Sequence, residues 1–335
     1  MCGICGFTGE VIDKSKIIEN MADLIIHRGP DSAGYFGDNH IAMGFRRLSI
    51  IDLGGGDQPI YNEKNTLVLT FNGEIYNYKE LKDELLEAGH KFYTETDSEV
   101  IIHGFEEWGE EVVPKLRGMF AFAIWDRENK SLFIARDPFG IKPLHWTKVG
   151  DNFIYGSEIK SLLAFPTVER KLNYKMLDNY LSFQYAVPPE TFFEGIYCLM
   201  PGHFLWYKDG EVKIKRYFDP EFHIDENMDL ETATAEIEKA FENSVQVHRI
   251  SDVEVGCFLS SGIDSSYLVS LAGPDKTYTV GYDINKYSEI DLARDLTDRL
   301  GINNTSSKIS KKEYMEAAPP ILRDYLIYNE AIKNY

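Results

Sequence analysis

Short apolar runs recur through the first 210 residues, and they restrict the fold more than any other feature of the chain. Residues 4–12, Ile41–Ile51, Thr66–Tyr78, Phe120–Asp126, Ser131–Ala135 and Phe153–Tyr155 alternate or run apolar in the manner of strands. Between them lie helical patterns. Ile17, Ile18, Met21, Leu24 and Ile25 form one apolar face that ends at His27-Arg28-Gly29-Pro30-Asp31. Leu81, Leu85 and Leu86 follow Asn77-Tyr78-Lys79-Glu80, which resembles a capping box, and Gly89 closes that helix. Thr96-Asp97-Ser98-Glu99 opens a third, with Thr96 and Glu99 as another candidate box. Many strands and few helices predict an α+β or layered α/β domain with a largely antiparallel sheet.

The chain has 335 residues, and the usual domain size of about 100–200 residues gives it room for two domains. Its net charge of −19 argues against a nucleic-acid partner, which needs clustered Lys and Arg. No apolar run approaches the ~18–20 residues of a membrane span, and the start lacks the pattern of a signal peptide. The four cysteines are too few for a disulfide framework, and Cys2-x-x-Cys5 meets no second CxxC or HxxxH that would complete a metal site. These features predict a cytoplasmic protein.

Several polar groups sit where apolar periodicity does not explain them. If Met1 is trimmed, Cys2 carries both a thiol and a free α-amine, a nucleophile and its base in one residue. Arg46 and Arg47 interrupt an apolar strand. Alternation sends one to solvent and leaves the other able to hold a carboxylate. Asn72-Gly73 reads as a hairpin turn, yet an Asn amide beside a Gly N–H also supplies the paired donors of an oxyanion hole. Asp97 is either helix-start charge or the partner of a ligand ammonium. The charged loop Arg136–Pro143 is stiffened by Pro and Gly.

The second half opens with a helix from Leu230 to Val247. A strand, Val253–Leu259, then runs into Ser260-Ser261-Gly262-Ile263-Asp264-Ser265-Ser266 and a helix from Tyr267 to Ala272. A strand, a Ser/Gly loop and a helix N-terminus make an anion site, and an aspartate there needs a cation such as Mg²⁺ beside a phosphate. The bland alternative is an ordinary crossover with a serine cap. Thr277–Gly281 reads as the next strand and Ser288–Leu300 as the next helix.

The ordered set MCGICG, HRGPD, RRLSIID, FNGEIYN, TDSEV, RGMFAFAIWD, RDPFGIKPL and GSEIKSL resembles the class II glutamine amidotransferase family. That resemblance implies an N-terminal-nucleophile glutaminase, a sandwich of antiparallel sheets with helices, over residues 1–210. It implies that Cys2 attacks the side-chain amide of glutamine while its α-amine shuttles the proton. Asn72 and the N–H of Gly73 would form the oxyanion hole. Arg47 would pair with the α-carboxylate and Asp97 with the α-ammonium. Leu48, Ser49, Ile50, Ile51 and Glu74 would complete the wall.

Residues Phe258, Leu259, Ser260, Ser261, Gly262, Ile263, Asp264 and Ser265 are similar to the pyrophosphate loop of the ATP-pyrophosphatases, usually SGGxDS. By that likeness Val280 lies by adenine and Asp264 faces Mg²⁺ carried by ATP. Ser261 replaces the first glycine, so a Cβ is expected where positive φ would be wanted. The two halves together look like the glutamine-hydrolysing asparagine synthetase family, with a partial parallel α/β domain over residues 211–335. The implied substrates are glutamine, aspartate and ATP, and a homodimer is compatible with the family. No SGEGADE-like second loop is present, and the chain after Leu326 departs from the family pattern. A shortened synthetase half with impaired amide formation is therefore expected. The alternatives are a stand-alone glutaminase, another ATP-dependent amide ligase of this architecture, or a non-catalytic assembly fragment.

Overall fold

The computed structural model describes residues 2–283 and 288–317. Met1 and the segment after Leu326 lie outside them. Among the described residues no helix is long and apolar enough to cross a membrane. The chain forms two compact units, Met1–Glu221 and Phe222–Tyr335.

The first unit is built on β1 (Gly3–Thr8), α1 (Lys14–Asp23), β2 (Ser32–Gly37), β3 (Ile41–Arg47), β4 (Ile60–Tyr61), β5 (Leu67–Ile75), α2 (Tyr78–Glu87), α3 (Glu99–Trp108) and α4 (Val112–Lys115). It continues through β6 (Gly118–Asp126), β7 (Ser131–Arg136), β8 (His145–Val149), β9 (Asn152–Gly156), α5 (Ile159–Leu162), α6 (Tyr174–Phe183), β10 (Ile196–Cys198), β11 (His203–Lys208) and β12 (Glu211–Arg216). One sheet has the order β10-β8-β9-β1-β3-β2 and the other β12-β11-β7-β6-β5-β4. Every pairing within them is antiparallel.

Ile4, Met43, Phe45, Phe153 and Tyr155 of the first sheet pack with Val68, Ala121, Trp125, Ile134 and Leu205 of the second. The opposite face of the second sheet, with Phe71, Phe122 and Phe133, is covered by Leu81, Leu85, Ile101 and Phe105 of α2 and α3. Helices α1 and α5 pack on the first sheet. The result is helix–sheet–sheet–helix, the sandwich that the resemblance implies. Strand β1 is buried at every position, as its central place requires.

Three local expectations fail for identifiable reasons. Asn72-Gly73 is no hairpin turn: β5 runs through it, pairing Asn72 with Ala121 and Gly73 with Phe120. A Cβ on Gly73 would meet the Met119 carbonyl oxygen at 2.2 Å, so close approach between strands accounts for the glycine. Neither capping box forms. The Asn77 side chain bridges Lys115 O and Arg117 N, each at 2.9 Å, while Glu99 accepts from Tyr93 N at 2.9 Å and Thr94 N at 2.8 Å. The boundary expected at 210/211 falls between paired strands. β12 pairs with β11 along its whole length, so Glu211–Arg216 stays with the first unit.

The second unit contains α7 (Leu230–Val247), β13 (Gly256–Phe258), α8 (Ile263–Ala272), β14 (Lys276–Tyr282), α9 (Ile290–Leu300) and β15 (Asn303–Ile309). Its sheet is parallel, in the order β13-β14-β15. Leu259, Val269 and Ala293 form the core beneath it.

Candidate active site

Strand β1 is antiparallel to β3, so the start of one meets the end of the other: Gly3 pairs with Arg46. This register brings Cys2 and Arg47 to one edge of the sandwich. A single pocket there is lined by Cys2, Arg47, Leu48, Ile50, Ile51, Asn72, Gly73, Glu74 and Asp97. Ser49 does not line it; its N–H donates to Asp31 Oδ2 at 2.8 Å instead. β3 ends at Arg47, so residues 48–51, expected within the strand, form the loop that walls the pocket.

The Cys2 thiol lies against the backbone of that loop, with Leu48 N donating to Sγ at 3.4 Å. Burial pushes the thiol up from its ordinary value, and the nearby Asp97 adds to this, while the Leu48 N–H and the Lys142 ammonium pull it down. The Cys2 carbonyl accepts from Arg28 Nε at 2.9 Å. Arg28 in turn is held by Glu158 at 2.9 Å, which also binds His27 and Lys160. The motifs HRGPD and GSEIKSL thus fasten the chain start in place.

Asn72 is 1% exposed, and both polar atoms of its amide are buried with no hydrogen-bond partner. A buried amide left unpaired calls for an explanation. Arg47 reaches Asp52 O at 2.6 Å and Asp57 Oδ1 at 3.4 Å, and is 7% exposed. Its neighbour Arg46 points the other way and pairs with Asp23 of α1 rather than with solvent alone. Asp97 accepts from Ile75 N at 2.7 Å; burial, aided by Glu74, pushes its carboxyl up to about 7. Gly56, at φ +68°, folds the Arg47-side loop over Thr96, a conformation that favours glycine.

Lys142 also lines this pocket, and inspection of the sequence alone did not single it out. It is 3% exposed, and burial lowers its ammonium from the ordinary lysine range, opposed by Glu74. The loop that presents it is fixed by its own charges. Asp137 accepts from the amides of Phe139, Ile141 and Lys142, and Arg136 donates to Lys142 O, Gly140 O and Leu199 O. Pro and Gly signalled the stiffness of this loop; nothing local signalled where the amine would point. Phe45, Gly56, Gln58, Phe71, Thr96, Ser98 and Met119 complete the lining.

In the second unit, Leu259 is buried, whereas Phe258, Ser261, Gly262, Ile263 and Asp264 are exposed and Val280 is 47% exposed. The loop is knitted by hydroxyls: Ser260 Oγ and Ser265 Oγ are 2.8 Å apart, and Gly262 N donates to Ser260 Oγ at 3.1 Å. Ser261 is not among the residues with positive φ, so its Cβ carries no such strain, contrary to expectation. Its hydroxyl donates to Glu289 at 3.1 Å. Asp264 stands in the first turn of α8.

A glutamine amidotransferase domain model matches residues 1–218. The chain belongs to that family. An asparagine synthase model matches residues 236–332. Asparagine synthetase [glutamine-hydrolyzing] 1 of Bacillus subtilis is 42% identical over 332 residues, covering 95% of this chain and 52% of its own. Asparagine synthetase [glutamine-hydrolyzing] 3 of the same organism is 33% identical, covering 94% of this chain and 55% of its own. The chain therefore spans about half the length of the curated relatives it matches.

Proposed function

We propose that this amidotransferase hydrolyses glutamine in its first unit, and that its second unit carries the ATP loop of a synthetase half whose chemistry uses that ammonia to convert aspartate to asparagine. The unpartnered Asn72 amide beside the Cys2 thiol carries the reading. A buried donor without a partner stabilises nothing at rest, and it becomes favourable when an oxyanion forms next to it.

A free amino acid is a zwitterion, and the pocket offers one cation, Arg47, and one carboxyl, Asp97, which an ammonium beside it would hold ionised. With Met1 removed, the Cys2 amine takes the thiol proton and the thiolate adds to the amide carbon. Asn72 and the Gly73 N–H hold the negative oxygen. Collapse breaks the C–N bond, and the amine's proton leaves with ammonia. Water then cleaves the thioester to give glutamate and restores the thiol. Leu48, Ile50, Ile51 and Glu74 shape the side-chain slot.

In the second unit, the amides at the start of α8 suit the phosphates of Mg-ATP, with Asp264 toward the metal and Val280 toward the base. Adenylation of the aspartate side chain releases pyrophosphate, and ammonia displaces AMP. Activation is needed because a carboxylate is a poor electrophile. Four free cysteines fit a reducing compartment, the cytoplasm.

Glutamate release from glutamine tests the proposal: the chain should turn over, and Cys2→Ala should abolish hydrolysis. Undiminished hydrolysis by that variant would refute it.

A further inference from the structure

Outside the residues that line the pocket, two histidines sit among four carboxylates. Glu63 follows β4, His90 follows α2, and His103 and Glu106 are neighbours on one face of α3. The contacts are His90 Nδ1 to Glu63 Oε1 at 3.3 Å, His90 Nε2 to Glu107 Oε2 at 3.4 Å, His103 Nδ1 to Glu63 Oε2 at 3.3 Å and His103 Nε2 to Glu99 Oε1 at 3.1 Å. Every ring nitrogen therefore lies within 3.4 Å of a carboxylate oxygen. Three of these contacts are hydrogen bonds, and the fourth, His103 Nδ1 to Glu63, is not. Four carboxylates around two imidazoles favour an added cation, either a proton on a ring or one divalent ion.

Geometry separates the two cases at His103. This side chain is fully buried, and its Nδ1 makes no hydrogen bond despite lying 3.3 Å from Glu63. A proton on Nδ1 would not point at that oxygen. The Nε2 side is fixed: Glu99 accepts there, and its oxygens also take the Tyr93 and Thr94 amides. A carboxylate behind a histidine, setting the tautomer and leaving the other nitrogen bare, is the outer-shell arrangement of metal ligands.

We propose that Glu63, His90, His103 and Glu106 form a divalent-cation site, with Zn²⁺ the ion that suits two imidazoles and two carboxylates. One ligand atom from each residue lies within 4.8 Å of all the others. Tetrahedral zinc with bonds of about 2.1 Å places its ligands about 3.4 Å apart, so the cluster closes by small side-chain rotations. Asn62 and Lys64 hold the Glu106 carboxylate at 3.0 and 2.7 Å, orienting it. The ion would staple the β4–β5 turn and the segment after α2 to α3. Through Glu99 it would also steady residues 93–98, Asp97 among them. The site does not rest on the glutaminase reading.

The test is zinc titration of the chelator-treated full chain by calorimetry, with Co²⁺ as a spectroscopic probe of tetrahedral geometry. One ion per chain is expected, with a rise in the thermal midpoint of the first unit. His90→Gln and Glu106→Gln, at partly accessible positions, should each weaken binding at least about tenfold, and Glu99→Gln by about 10–100-fold. Cys2→Ala should leave binding intact. The proposal is overturned if the chain takes up no stoichiometric zinc. Uptake unchanged by His90→Gln and Glu106→Gln, or lost with Cys2→Ala, also overturns it. So does nitrogen NMR in which His103 Nδ1 carries a proton after zinc is added.

Discussion

Asp97→Asn should make the first unit more stable above pH 7 while destroying its affinity for glutamine. Asp97 is 6% exposed, and burial, with Glu74 adding to it, raises its carboxyl from 3.8 to about 7. The difference is about 3 units, or about 4 kcal/mol at ~1.36 kcal/mol per unit. Below pH 3.8 both folded and unfolded chains hold the proton, and the group contributes no pH dependence. Between about pH 4 and 7 the unfolded chain ionises while the folded chain keeps its proton, so stability falls as pH rises. Above pH 7 the full penalty is present. Asparagine cannot ionise, and its amide oxygen can still accept from Ile75 N. The variant should therefore gain about 2–4 kcal/mol at pH 8 and nothing near pH 4. Urea unfolding followed by tryptophan fluorescence measures this, because Trp108, Trp125, Trp146 and Trp206 all lie in the first unit. Saturating glutamine should stabilise the parent chain and not the variant. A variant no more stable than its parent at pH 8, or an advantage that does not change with pH, would refute the reasoning.

Asn72→Ala should lower kcat for glutamine hydrolysis by roughly 10²–10³ with little change in KM, because its amide acts only once an oxyanion exists; steady-state kinetics decide this, and a pure KM effect would remove Asn72 from that role. Lys142→Met keeps the buried chain length and deletes the charge that favours the Cys2 thiolate. The pH at which iodoacetamide alkylates Cys2 should move upward, and an unchanged alkylation profile would show that the lysine does not act on the thiol.

The sandwich was legible because its strands are short apolar runs and its helices carry clear stripes. The site was legible where polar residues break those patterns: Cys2, Arg47, Asn72 and Asp97 all fall into one pocket. What local reading missed was decided by distant partners. Asn72-Gly73 carries a strong hairpin preference, yet nine consecutive pairings with β6 override it. Glu99 reads as a capping residue, and the amides of Tyr93 and Thr94 claim it first. Lys142 enters the pocket only because Arg136 and Asp137 fix its loop from behind. His90 and His103 are thirteen residues apart and meet only when α3 packs beside α2, so no spacing motif announces them.

The most direct test of the account is to treat the full chain with a diazoketone analogue of glutamine and map the adduct by mass spectrometry. The account predicts one adduct, on the sulfur of a peptide that begins at Cys2 with Met1 gone, and protection by glutamine. Labelling at Cys5, Cys198 or Cys257 instead, or an active chain that still carries Met1, would contradict it.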